Sequence, residues 1–232
     1  MIKKSLINHD LLNFCADNDL VLTRSSVKGV ISYVLEHERW DLCSWHPQGF
    51  LKIKLGQAML NGIITEVQVN IWSAKNRYPQ TDPSVCHSHN GRLRSYILYG
   101  EIDNRQYRVQ EKSNQRYALY KVNYEKSSSK SKNTNQQVSC VLVDSDIHVA
   151  GEKYSVDSGE FHSTHVQEGT LACTLVYRHR NLDYAAYNVR KIGKEEVYTF
   201  DRQILDKQKL IAVLYEVINT IIPYKPIIHN PF

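Results

Sequence analysis

The stretch Cys86-His87-Ser88-His89-Asn90-Gly91 carries two histidines one residue apart, ahead of a strand-like run from Ser95 to Tyr99 and then Gly100. In an extended chain residues i and i+2 point to the same face, so His87 and His89 can present two imidazoles to one point. Cys86 and Ser88 then point away. A catalytic metal centre takes three protein ligands and keeps positions open, so the pair alone is one ligand short. A second cluster, Gly159-Glu160-Phe161-His162-Ser163-Thr164-His165-Val166, leads into the apolar run Leu171 to Tyr177. A turn glycine, a histidine at the lip of a strand and a return strand would put a third imidazole on the opposite wall of a barrel. His162 and His165 differ by three positions, so on a strand they face opposite sides and only one reaches the metal. The other is then a polar contact at the barrel rim.

Such a site needs a β framework, and the hydrophobic pattern supplies one. Phe50-Leu51-Lys52-Ile53-Lys54-Leu55 and Val67-Gln68-Val69-Asn70-Ile71 alternate as half-buried strands do. Further short strands are expected at Ser95 to Tyr99, Gln106 to Gln110, Tyr117 to Val122, Val138 to Val143, Leu171 to Tyr177 and Tyr184 to Arg190. Many short strands at modest spacing imply a sandwich or barrel, here over 46–200. Ahead of it lies a helical segment, 1–45. There Val27, Val30, Ile31, Val34 and Leu35 form one helical stripe behind Ser25 or Ser26, and an earlier helix is expected around Leu6 to Ala16. The polar run 125–137 holds no apolar residue and reads as a mobile loop between strands. After Asp201, Leu205, Leu210, Ile211, Leu214, Val217, Ile218 and Ile221 recur at helical spacing before Pro223, giving a C-terminal helix over 201–222. The whole is read as one domain, 1–232.

Over roughly Phe50 to Arg190 the chain resembles the cupin superfamily, whose fold is a double-stranded β-helix, or jelly-roll, barrel. The first cupin motif is read in His87-x-His89 and Gly100, the second in Gly159-x-Phe161-His162. The order His46-Pro47-x-Gly49-Phe50, Val69-x-Ile71-Trp72, His87-x-His89, Ser95-x-Ile97-Leu98-x-Gly100 is similar to the small cupins related to cysteine dioxygenase. The resemblance implies His87, His89 and His162 as metal ligands, with His165 the alternative third. It departs from the common pattern where most cupins place a ligating glutamate, because those positions hold Leu93 and Arg94. The implied site is three neutral histidines, as in thiol dioxygenases. The cysteine–tyrosine crosslink of the animal enzymes is not expected with Leu93 or Arg94 at that place.

Three neutral imidazoles leave a ferrous ion its full charge, so an anionic substrate such as a thiolate or carboxylate is favoured at the metal. Dioxygen would take a neighbouring position, with metal and substrate doing the redox chemistry while the protein orients them. Arg94 is a candidate partner for a substrate carboxylate, and the resemblance to dioxygenases, which keep a tyrosine close to iron, implies Tyr177 as a neighbour of the metal. Trp40, Trp45 and Trp72 read as core or wall residues. Fe(II) is the first expectation. Zn, Ni or Mn in the same pocket would instead suit a lyase or isomerase, and a non-catalytic small-molecule-binding cupin is the third reading. No Gly-x-Ser-x-Gly elbow, P-loop or Gly-x-Gly-x-x-Gly is present, so hydrolase-elbow, nucleotide and dinucleotide chemistries have no anchor.

The 232 residues carry 29 Lys plus Arg against 24 Asp plus Glu, a net +5 without any dense basic block. A nucleic-acid partner is therefore not indicated. Five dispersed cysteines, Cys15, Cys43, Cys86, Cys140 and Cys173, show no C-x-x-C spacing and suggest reduced thiols rather than a secreted disulfide framework. With no run approaching the ~18 apolar residues of a membrane span, the expectation is a cytoplasmic protein without membrane association. It would act as a monomer or homodimer on a small molecule and dioxygen.

Overall fold

The computed structural model describes residues 20–60, 63–125, 128–181, 183–193, 195–201 and 206–221. The helix expected around Leu6 to Ala16 lies outside them. The described residues are mainly β, with two antiparallel sheets in a sandwich of jelly-roll type and two helices. Helix α1 (Leu20–Glu36) is followed by a short 3-10 turn and strands β1 (Cys43–His46), β2 (Phe50–Leu60), β3 (Ile63–Trp72), β4 (Cys86–His87), β5 (Gly91–Tyr99), β6 (Glu101–Glu111), β7 (Tyr117–Tyr124) and β8 (Ser128–Val149). Strands β9 (Lys153–Val156), β10 (Phe161–His165), β11 (Ala172–Arg180), β12 (Ala186–Lys191) and β13 (Val197–Asp201) lead to helix α2 (Lys207–Ile221).

The first sheet runs β1-β2-β3-β11-β5-β9 and the second β13-β8-β6-β10-β4-β12-β7. Strand β8 bonds β7 through its first half and β6 through its second, so the second sheet returns on itself. Alternation along the first sheet decides where the main core lies. Leu51, Ile53, Leu55, Val67, Val69, Ile71, Cys173 and Leu175 face the helices and meet Val27, Ile31 and Val34 of α1 and Leu210, Val213, Leu214 and Val217 of α2. Of the helical stripes read from sequence, Val27, Val30, Ile31, Val34, Leu210, Leu214, Val217 and Ile221 are buried, Leu35, Ile211 and Ile218 are half-buried, and Leu205 lies outside the described residues. Helix α2 is also tied to the end of β3, where the Glu216 carboxylate accepts from Ser73 Oγ and from Ala74 N at 2.9 Å.

Two expectations are corrected. The polar run over 125–137 is not a loop from Ser128 onward, since it forms the first half of β8. Its backbone is bonded on one side to β7 and on the other to β13, which satisfies the main chain without apolar side chains. Ser128, Ser129 and Ser131 are buried there toward a polar interior, so hydrophobic alternation is missing although the strand is present. The second correction concerns Asp201, which ends strand β13; the last helix starts at Lys207. Among the described residues, no helix is long and apolar enough to cross a membrane.

Candidate metal centre

The site is built around the two-residue strand β4, which lies between β10 and β12. His87 stands directly opposite His162 of β10 on one side and Asn188 of β12 on the other. Two-residue alternation sends Cys86 to the far face, into a satellite core with Val138 and Val189, and sends His87 to the inner face. The chain then leaves the sheet, with Ser88 N bonded to Tyr187 O at 2.8 Å and His89 O accepting from Gly159 N at 3.1 Å. These bonds hold His89 beside the other two rings. Ring centroids are 4.8 Å apart for His87 and His89, 4.5 Å for His87 and His162, and 5.1 Å for His89 and His162.

The ligand atoms of the three histidines all lie within 4.8 Å of one another, and the Nε2 atoms of His89 and His162 are 3.0 Å apart. Two nitrogens each about 2.1 Å from one cation and at right angles to each other would be about 3.0 Å apart, so this spacing suits a cation between them. Protonation agrees with that use. Burial, above all, holds His89 and His162 well below the ordinary imidazole range, with the charges of neighbouring rings adding to it. For His87 burial lowers the pKa to about 4, against an opposing pull from Asp82 and with help from Arg178. The rings are therefore neutral at physiological pH. A neutral imidazole carries the lone pair a metal needs.

Two amides orient the rings. His162 Nδ1 donates to Asn104 Oδ1 of β6 at 2.8 Å, which fixes the proton on Nδ1 and leaves Nε2 free as a ligand. Gln48 Nε2 lies 2.8 Å from His87 Nδ1. That contact fixes the orientation of the His87 ring. Gln48 is delivered by the tight turn from His46, in which Gly49 N bonds His46 O at 2.8 Å. Gly49 sits at φ +84 with Tyr78 O only 2.9 Å from where a Cβ would be, so no other residue fits there without strain.

The histidines line a cavity between the sheets, and its other walls are markedly polar for the inside of a sandwich. Lys52, Gln68, Asn70 and Arg178 from the first sheet share it with the rings Phe50 and Trp72. Arg178 Nη2 donates to Asn90 Oδ1, the guanidinium lies 5.5 Å from the Tyr124 ring centroid, and its Nε is buried without a partner. The one carboxylate of the lining, Asp82, is engaged by the buried guanidinium of Arg190 at 3.1 Å. Among the described residues, no carboxylate joins the three histidines.

Of the residues singled out in the sequence, His87, His89 and His162 come together. His165 does not: it is exposed at the end of β10 and its Nε2 contacts Ser163 Oγ at 3.0 Å. Arg94 and Tyr177 also lie elsewhere, which corrects their expected roles at the metal. They pair with each other across β5 and β11, with Arg94 exposed and Tyr177 in the core beneath the helices. Their neighbours Leu93 and Arg178 are the ones facing the cavity. Leu93 stands where a cupin glutamate would be expected and offers no donor atom. Asn104, Gln48 and Arg178 were missed, and only Gln48 had a local signal, its place in the His46 turn.

No protein-family model matches the chain, and no curated protein matches it. The fold and the three-histidine cluster define a jelly-roll-type β protein with a group that could hold a metal ion.

Proposed function

We propose that the protein is a mononuclear non-haem metal oxygenase of the cupin type, using Fe(II) and dioxygen to oxidise a small anionic metabolite such as a thiol or carboxylate. The observation that supports this most is the donor set: three neutral imidazoles with no carboxylate among them, inside a cavity that also carries Arg178 and Lys52. A bound ferrous ion would supply the redox chemistry, joining dioxygen to a substrate held beside it.

The chain's own residues would do the rest. His87, His89 and His162 add no negative charge, so the cavity keeps a positive field and draws an anion. Arg178, with Nε directed to no protein acceptor, is placed to grip the anionic end of the substrate and to set which atom faces the histidines. Asn104 holds the His162 ring in its ligating tautomer, and Gln48 orients the His87 ring. Phe50 and Trp72 form the dry wall of the pocket. Reduced thiols at Cys43, Cys86, Cys140 and Cys173 accord with a cytoplasmic setting.

Anaerobic loading with Fe(II), followed by oxygen-uptake assays over a panel of small thiols and carboxylates, tests this reading. Iron-dependent uptake that saturates with one class of anion is expected, with KM raised on the order of tenfold or more in Arg178→Met. Turnover that proceeds without oxygen, or with Zn, Ni or Mn but not iron, would replace the oxygenase by a lyase or isomerase. Metal binding without any turnover would leave a binding protein.

A further inference from the structure

Behind the three-histidine cluster, on the opposite face of β4, lies a pair of thiols. Cys86 Sγ and Cys140 Sγ are 3.5 Å apart although the residues are 54 positions apart in the chain. The meeting is made by the fold, because β8 curls over the second sheet and closes the satellite core in which both side chains sit. The other described cysteines, Cys43 and Cys173, belong to the main core beneath the helices. The two members of the pair differ in access. Cys86 is 1% exposed, whereas Cys140 on the outer strand is only half-buried and is followed by the exposed Val141, Leu142 and Val143.

The geometry points to Cys86 and Cys140 as a reversible disulfide site, oxidised by small hydroperoxides and reduced by thiols. The sulfurs need to close by only about 1.5 Å to reach the ~2.05 Å of a disulfide, a distance that side-chain rotation can supply. Cys140, the less buried of the two residues, attacks the peroxide; the O–O bond breaks, one oxygen leaves as water or alcohol, and Cys140 becomes a sulfenic acid. The Cys86 sulfur then attacks Cys140, the S–O bond breaks, and the displaced hydroxide leaves as water with the Cys86 proton. Two thiols are oxidised by two electrons and one peroxide is reduced by two. A dithiol reverses the change by exchange. The bond would fasten β8 to the short strand that carries His87, so the oxidised state stiffens the support of that ring. This site does not require the oxygenase reading, and it stands or falls apart from any metal.

The test uses the full chain, reduced, freed of metal, and treated with hydrogen peroxide at a few equivalents. Non-reducing digestion and mass analysis are expected to find the Cys86 and Cys140 peptides joined with loss of two hydrogens, restored to two thiols by dithiothreitol. Melting temperature is expected to rise on oxidation by roughly 5 °C or more, since the bond closes a long loop. In Cys86→Ser, Cys140 is expected to progress to sulfinic acid; in Cys140→Ser, Cys86 stays a thiol. Circular dichroism confirms that each variant is folded. Crosslinks through Cys15, Cys43 or Cys173 instead, or no crosslink in the folded wild type while both thiols remain alkylatable, would overturn the assignment.

Discussion

The two faces of the first sheet are made from the same strands and do opposite work. On the outer face Leu51, Ile53, Val69, Ile71 and Leu175 pack against both helices in an apolar layer. One residue along, on the inner face, Lys52, Gln68, Asn70, Val176 and Arg178 line the cavity that the histidines share. A common β-sandwich buries its apolar core between the sheets. Here the helix–sheet layer takes over much of that task, and the space between the sheets is divided between polar groups and a smaller apolar cluster of Phe50, Trp72, Ile97, Ile102 and Ala172. Stability and chemistry are thereby separated by the two-residue period of a strand.

Substitutions on the two faces should separate in the same way. His87→Ala, His89→Ala or His162→Ala is expected to weaken metal binding by at least roughly 100-fold, read by equilibrium titration with Zn(II), because loss of a direct ligand exceeds the 10–100-fold typical of its supporting partners. Melting temperature of the metal-free protein should change little. Leu175→Ala is the mirror image: about 3 kcal/mol of lost stability by denaturant titration, with metal stoichiometry unchanged in the folded fraction. Large losses of both properties from either substitution would dissolve the distinction.

Asn104→Ala is expected to cost about tenfold in metal affinity by freeing the His162 ring, with little effect on stability. The pH dependence follows from the buried imidazoles. An unfolded histidine takes up a proton near pH 6.5, whereas His87 in the fold does so only near 4. Between these values the unfolded chain binds the extra proton, so the stability of the metal-free protein is full above about 6.5 and declines as pH falls toward 4. Denaturant midpoints across that range should show the decline, and His87→Ala should lessen it while His89 and His162 keep the remainder. A stability that rises on acidification in this window would contradict the burial of neutral rings. The smallest effect is expected at Tyr177→Phe. The Tyr177 hydroxyl is buried without a partner, so removing it should leave stability unchanged within about 0.5 kcal/mol or slightly raised, and metal affinity untouched.

The contrast between the faces also explains what could be read from the chain. The stripes of Val27 to Val34 and Leu210 to Ile221, and the alternation of Phe50 to Leu55 and Val67 to Ile71, are apolar signals written by the helix–sheet layer. The i, i+2 spacing of His87 and His89 is equally local. His162 was reached through its place beside Gly159 and Phe161, and its register opposite His87 then joined it to the pair. The first half of β8 was not legible, because a strand between solvent and a polar cavity has no apolar face to show. Arg178 was passed over for Arg94 and Tyr177, the latter named through the resemblance, and strand periodicity names two faces without saying which of them looks into the site. Asn104 and Gln48 act across 58 and 39 positions of chain, and such partnerships exist only once strands pair.

The account rests on three imidazoles converging on one cation. Anomalous diffraction from crystals of the zinc-loaded full chain tests it most directly. One strong peak is expected within about 2.1 Å of a ring nitrogen of each of His87, His89 and His162, with no carboxylate among the protein ligands. A zinc ion held elsewhere, or bound there by only one of these rings, would contradict it.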